Sequence, residues 1–330
     1  MSPVLPPGSR RSRAAAVGLA TAAAIYLAAG LHPWQWSPPQ RFPNHASRSG
    51  AGIRFDGPGI ALGAGDDAWV GEARRRGEAA VLLRVRSFSP SQRGPARIFT
   101  LSRDASHRSL TIGQVGDDLV VRLRTAETTL NGMPERVVPD VFSRPEWRVI
   151  EVAVGEGLLR VLVDGREGLR EALPARALES WDASHRVALG NEHNGLRPWL
   201  GEIAAASVRS GGAARGYLLP GESRLPAAYW AGNRPLLVPF RAFDRSRVGL
   251  LDLAVNLVGF LPLALIATLA LGSRALAVLA CAAVSITIES AQLFFEDRFS
   301  SATDFVLNLA GAVLGASFVP ARRRRSGLTP

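Results

Sequence analysis

The sequence predicts two folds in one chain, an all-β sandwich and an α-helical transmembrane domain. Three observations carry that expectation. Apolar and polar residues alternate with period two through the middle of the chain, as at Val81, Leu83 and Val85 against Leu82, Arg84 and Arg86. Long apolar runs occupy its C-terminal end, and another stands near its start. The 330 residues are 47% hydrophobic yet 20% charged, the average expected of a chain divided between water and lipid.

In chain order, residues 1–13 form a basic N-terminus containing Arg10, Arg11 and Arg13. Residues 14–31 are apolar and alanine-rich, close to the ~17-residue lower limit for a spanning helix. They read either as a retained anchor or as a cleaved signal peptide. Length favours the anchor, since a signal core is usually ~7–15 residues. Both readings export the region C-terminal to this segment. Residues 32–51 form a linker with proline and tryptophan and no periodicity.

Strands are expected from 52 to 212. Leu119, Val121 and Leu123 alternate with Val120, Arg122 and Arg124, and Ile150, Val152 and Val154 lead through Gly155-Glu156-Gly157 into Leu159, Val161 and Val163. Asp164-Gly165 is a hairpin turn signal, because both central residues of such turns need positive φ. Further strands are expected at 97–102, 109–115, 186–190 and 202–209. Many short strands separated by turn residues imply a sandwich.

Residues 213–249, rich in proline, arginine and aromatics such as Tyr229, Trp230, Phe240 and Phe243, read as a juxtamembrane segment. The membrane domain, 250–320, holds apolar runs at 250–271, 275–295 and 304–319, and residues 321–330 form a basic tail with Arg322–Arg325. The first two runs are long enough to cross ~30 Å of hydrocarbon, and the third is short.

Net charge is +11, but the basic runs flank hydrophobic segments, which orients a membrane protein and argues against nucleic acid as a partner. Four spans place both basic termini in the cytoplasm and residues 52–212 outside. Arg234, Arg241, Arg245 and Arg247 then fall outside, which long exported regions tolerate. The single cysteine, Cys281, excludes an intramolecular disulfide and a cysteine zinc site.

The apolar runs carry polar residues that a bilayer disfavours. Asp252 and Asn256 share a helix face, as do Ser285, Glu289 and Gln292, and Asp304 and Asn308. All fall at one depth near the outer leaflet, with Arg298 in the loop beside them positioned to neutralise a carboxylate. Gly311 and Gly315 permit close helix approach.

These motifs resemble a VanZ-like domain. The text runs from Pro235-Leu236-Leu237-Val238-Pro239-Phe240 through Asp252, Asn256, Phe260-x-Pro262-Leu263, Ile288-Glu289-x-x-Gln292, Arg298, Asp304, Asn308, Gly311 and Gly315. Ala264 departs from the family, in which glycine usually follows the Pro-Leu pair. The resemblance implies a bacterial-type cell (inner) membrane and an envelope role; the founding member is associated with low-level teicoplanin resistance.

The middle region resembles a concanavalin A-like, laminin-G-type jelly roll. Its landmarks are Ile53-Arg54-Phe55-Asp56-Gly57, Arg97-Ile98-Phe99, Trp147, Val161-Leu162-Val163-Asp164-Gly165, Leu189-Gly190-Asn191-Glu192 and Trp199-Leu200-Gly201-Glu202-Ile203. Such domains often bind glycans or proteins through loops, sometimes with calcium. The Glu-x-Asp-x-x-Glu run of related glucanases does not occur, which disfavours glycosidase chemistry. Asp66, Asp67, Asp104, Asn191, Glu192, His193 and Asn194 are candidate ligand or calcium residues, although solvated loop positions would look the same. No cofactor is otherwise implied. The expected partners are the lipid bilayer and a cell-wall or surface glycan. Three functions remain open: an envelope protein with a glycan- or glycopeptide-binding module, a membrane enzyme acting on a lipid-linked head group through Asp252, Glu289 and Asp304, and a structural tether.

Overall fold

The computed structural model describes residues 7–50, 52–65, 67–104, 107–233, 235–240, 247–295 and 298–320. Asp66, Arg234, Arg241, Arg245 and Arg322–Arg325, and the side chains of Arg10, Arg11, Asp104 and Arg247, lie outside that description. The chain divides into a helical unit, residues 1–38 with 233–243 and 247–330, and a β unit centred on residues 39–232.

Helix α1 spans Pro7–Leu31. Strands β1 (Gln40–Pro43), β2 (Ala46–Ser49), β3 (Gly52–Phe55) and β4 (Ala61–Gly63) lead into helix α2 (Ala68–Arg76). Then come β5 (Ala79–Ser87), β6 (Gln92–Asp104), β7 (His107–Gly116), β8 (Asp118–Leu123) and β9 (Arg136–Val138). A meander of β10 (Arg148–Gly155), β11 (Leu158–Val163) and β12 (Arg166–Ala172) precedes β13 (Arg186–Leu189), β14 (Gly201–Ser210), β15 (Ala213–Gly216), β16 (Ser223–Arg224) and β17 (Ala228–Ala231). Helices α3 (Arg247–Leu271), α4 (Arg274–Gln292) and α5 (Ala302–Ser317) complete the chain.

Among the described residues the β unit holds two large antiparallel sheets. One runs β12-β11-β10-β5-β14-β3-β2 with β15 also on β14; the other runs β16-β4-β13-β6-β7-β8-β9. Their inward residues form one core, with Val81, Leu83, Val85, Ile150, Val152 and Val161 from the first and Phe99, Leu101, Leu110, Ile112 and Val121 from the second. This is the all-β sandwich expected from the period-two alternation, which strands such as β5 and β10 keep by burying every second side chain. The two turns of the β10–β12 meander carry paired positive φ angles: Glu156 53° and Gly157 71°, then Asp164 52° and Gly165 78°. These are the hairpin turns their sequences signalled.

The β unit is wider than 52–212. The supposed linker contains β1 and β2, and β1 pairs with β17, so both flanks of the expected domain join the unit. Part of the supposed juxtamembrane segment is interior: Tyr217 is fully buried, its hydroxyl donating to Asp67 Oδ1 at 2.6 Å and accepting from Trp69 Nε1 at 2.8 Å. Helix α2, which buries Trp69, Val70 and Ala73, was not expected. Its nine residues end in three arginines and offer too short an apolar stripe to register a helical period.

In the helical unit, α1, α3 and α4 are long and apolar enough to cross a membrane, while α5 has 16 residues. Gly311 and Gly315 of α5 meet α3 so closely that an added Cβ would run into the carbonyl oxygens of Leu257 and Leu261. That is the close approach expected from small residues one turn apart. Helix α1 packs on α3 and α4: the ring of Tyr26 meets Phe260 edge-on at 5.4 Å, and Tyr26 OH donates to the carbonyl of Gly259.

Candidate functional site

Two places gather functional groups. The first is one end of the helical unit. Helix α4 presents Ser285, Glu289 and Gln292 from one buried stripe, as their three- and four-residue spacing dictates. Glu289 accepts a 2.6 Å hydrogen bond from the backbone N–H of Ser301, the N-cap residue of α5. Ser301 Oγ also accepts from the Thr303 N–H at 3.2 Å, which caps the first turn. Glu289, Asp304 and Asp252 lie near enough to interact electrostatically. One turn deeper, Asn308 Nδ2 donates to Ser285 Oγ at 3.0 Å, both side chains buried.

The remaining members of the polar set hold the end of the unit together. Gln292 Nε2 donates to the carbonyl of Gly30 at 2.9 Å, and Arg298 donates to the carbonyl of His32. Arg298 therefore ties the loop before α5 to the segment after α1. Asn233 Nδ2 donates to the carbonyls of Phe295 and Arg298 at 3.1 and 2.7 Å. Trp36 stacks on Phe294 at 5.5 Å, and Ser37 N–H donates to Phe294 O. Asp252 is exposed and Asn256 half-buried on the neighbouring face of α3.

The second place is the β unit. Of the candidate loop residues, Asn191, Glu192 and Asn194 are buried rather than solvated, and Asp67 is buried against Tyr217 and Arg215. Glu192, with no exposed surface, sits between two buried guanidiniums, Arg108 Nε at 2.8 Å and Arg97 Nε at 3.7 Å. Its Oε1 accepts from Ser102 Oγ at 3.0 Å and from the His193 N–H at 3.1 Å. Burial pushes the Glu192 carboxyl up, but Arg108, Arg97 and His193 outweigh it and leave it below its ordinary value. Burial and the nearby Arg108 hold the Arg97 guanidinium well below its own, with Glu192 opposing them. Asn191 Oδ1 accepts from the N–H groups of Glu192 and Arg197 and so shapes the loop. Among the described residues, Asp117, Asp118 and Asp140 also bring their carboxylates within one ion's reach of each other.

An open cleft of about 400 Å³ lies on the solvent face of the β12-β11-β10-β5-β14 sheet. Register builds it. Arg170, Arg160, Ala153, Ala80 and Arg209 stand side by side across five strands, each pairing with the next. Directly paired residues point the same way, and their chain neighbours, such as Val152, Val81 and Val208, fill the core. The two alanines form a floor, the arginines stand on either side, and Glu78 and Glu156 line one end. Sequence reasoning missed this group. Arg160 and Arg170 face each other only because the β11–β12 register shifts between Val161 and Leu162, where Gly168 is the extra residue on β12.

With the geometry in view, the chain combines a helical domain whose apolar helices close on a polar end with a β-sandwich carrying a polar cleft. Residues 218–323 match the sequence model of the VanZ/LLP1 family, in agreement with the motifs of the last third of the chain. The search of curated proteins gives no match. Several solved structures are similar over the β region. The receptor-binding domain of a botulinum neurotoxin C/D mosaic serotype has a TM-score of 0.40 at 9% identity, covering 52% of this chain and 43% of that one. The LG1-3 region of the laminin α2 chain has a TM-score of 0.40 at 13% identity, covering 58% and 36%. A Trypanosoma rangeli sialidase in complex with sialic acid has a TM-score of 0.39 at 11% identity, covering 52% and 27%. The chain thus spans less than half the length of each of these structures.

Proposed function

We propose that this chain is a multi-pass protein of a bacterial-type cell membrane whose β-sandwich lies outside the cytoplasm and binds a saccharide or glycopeptide of the cell envelope. The observation that carries this reading is the cleft of about 400 Å³ on the solvent face of the sandwich, a size suited to a small ligand. Its arginine and glutamate side chains offer the donors and acceptors that sugar hydroxyls need, over a floor too small to obstruct a ring. Three helices long enough to cross, α1, α3 and α4, with the shorter α5 taken as a fourth span between the basic terminus and the basic tail, support the orientation. The packing of α1 on α3 and α4 supports its retention as an anchor.

The full-length protein in neutral nanodiscs should bind cell-wall or surface glycans on an array, run with and without calcium. Absence of binding to every such glycan, with the sandwich folded, would sink this reading.

A second reading has its own observation, the buried Glu289 carboxylate bonded to the Ser301 N–H at the start of α5, whose first turn carries Asp304. On it, that end acts on a lipid-linked head group at the outer leaflet by acid–base chemistry. Glu289→Gln and Asp304→Asn variants that insert normally should then alter an envelope phenotype such as glycopeptide tolerance. If both leave every envelope phenotype unchanged, the membrane-enzyme reading fails.

A further inference from the structure

The pairing of Arg160 with Arg170 is unfavourable in the protein alone. The two arginines occupy directly opposed positions of β11 and β12, and like charges so placed repel. Both side chains are exposed, and among the described residues neither has a hydrogen-bond or ion-pair partner. Elsewhere on the same sheet Arg54 and Arg86 each pair with Glu202 on the strand between them, at 4.0 and 2.8 Å. Across the floor, Arg209 reaches Glu151 only at 3.7 Å and from an exposed position.

The floor is equally unusual for its place. Ala153 and Ala80 are adjacent residues of the neighbouring strands β10 and β5, where β-branched or aromatic side chains ordinarily cover the sheet. Three strand spacings separate Arg160 from Arg209, about 14 Å at the usual inter-strand distance. The cleft between them, about 400 Å³ with Ala80 and Ala153 in its lining, has room for a sugar ring.

We infer that this cleft is a binding site for an acidic saccharide, with the carboxylate of the sugar held between Arg160 and Arg170 and its hydroxyls met by Arg209, Glu78 and Glu156. The inference rests on the glycan-binding reading above and gives it a location and a ligand class. A carboxylate accepts paired N–H bonds from guanidinium forks and cancels the repulsion that the register creates. The carboxylates at the end of the cleft disfavour a bilayer surface as the occupant, because anionic lipid would repel them.

The test uses the full-length protein in zwitterionic nanodiscs, with trigalacturonate and its carboxyl-reduced neutral counterpart as probes and calorimetry as the readout. Trigalacturonate should bind, its affinity should fall with added salt, and the reduced sugar should bind about tenfold or more weakly. Arg160→Ala and Arg170→Ala should each weaken the acidic sugar by about tenfold while leaving the thermal midpoint of the sandwich unchanged or higher. Ala153→Phe, which fills the floor without touching charge, should abolish binding. Equal binding of the two sugars, or acidic-sugar binding indifferent to all three variants, would overturn the site while leaving the broader reading intact. So would attachment of the protein only to anionic vesicles. A protein that binds no glycan of any charge removes both.

Discussion

A carboxylate with no exposed surface is stable in a protein only where charge and hydrogen bonds replace its lost water. Glu192 meets that condition through Arg97, Arg108, Ser102 and the His193 N–H. Glu192→Gln would leave two buried guanidiniums without their counter-charge and should destabilise the sandwich by about 3–5 kcal/mol, read by chemical unfolding. Because its folded value lies below the unfolded one, its contribution is complete above about pH 4.3 and lost as pH falls through the lower folded value. Acid unfolding of the wild type should therefore steepen below pH ~4, and the Gln variant should lack that component. This role was not legible in the sequence. The run Asn191-Glu192-His193-Asn194 reads as a polar loop, and the arginines that enclose its carboxylate belong to strands about ninety positions earlier.

At the scale of elements, two local features were legible and one was not. Gly311 and Gly315 announced a close helix contact, and the contact is one that no larger side chain permits. Gly311→Val should force α3 and α5 apart, costing at least the ~1–3 kcal/mol typical of overpacking. It should show as lost resistance to mild detergent unfolding, while Val313→Ala on the exposed face of the same helix should not. The Asp164-Gly165 turn was equally plain, and it sets the first pairs of its hairpin, Val163 with Arg166 and Leu162 with Glu167. Beyond the second pair the turn no longer dictates the register. An added Cβ at Gly168 would crowd Val138 Cγ1 at 2.7 Å, a contact with another strand. Gly168→Val should therefore disturb both the hairpin and the cleft, visible as a loss of acidic-sugar binding together with a lower thermal midpoint.

For the whole molecule, the lone cysteine makes topology accessible to experiment. Cys281 is buried in the helical unit, so a new cysteine on the sandwich is the only ready target for a membrane-impermeant maleimide. Ser184→Cys should be labelled from outside intact cells, whereas tags on both termini should be protected until the membrane is breached. Labelling of Ser184→Cys only after lysis would reverse the orientation. An N-terminal tag that separates from the mature chain would show that α1 is removed, although Gln292 and Arg298 bind the carbonyls at and beyond its end.

The sequence by itself determined the two folds, the apolar helices, the motif set in the last third and the polar residues that gather there. Each of these is written in local periods of two or 3.6 residues, or in spacings of three and four along one helix. The tertiary structure alone decided where the β unit begins and ends, because its first and last strands pair across almost two hundred residues. It also decided which polar groups face water. Glu192 is drawn inside by distant arginines, while Arg160 and Arg170 are set opposite one another by a one-residue bulge that local periodicity does not encode.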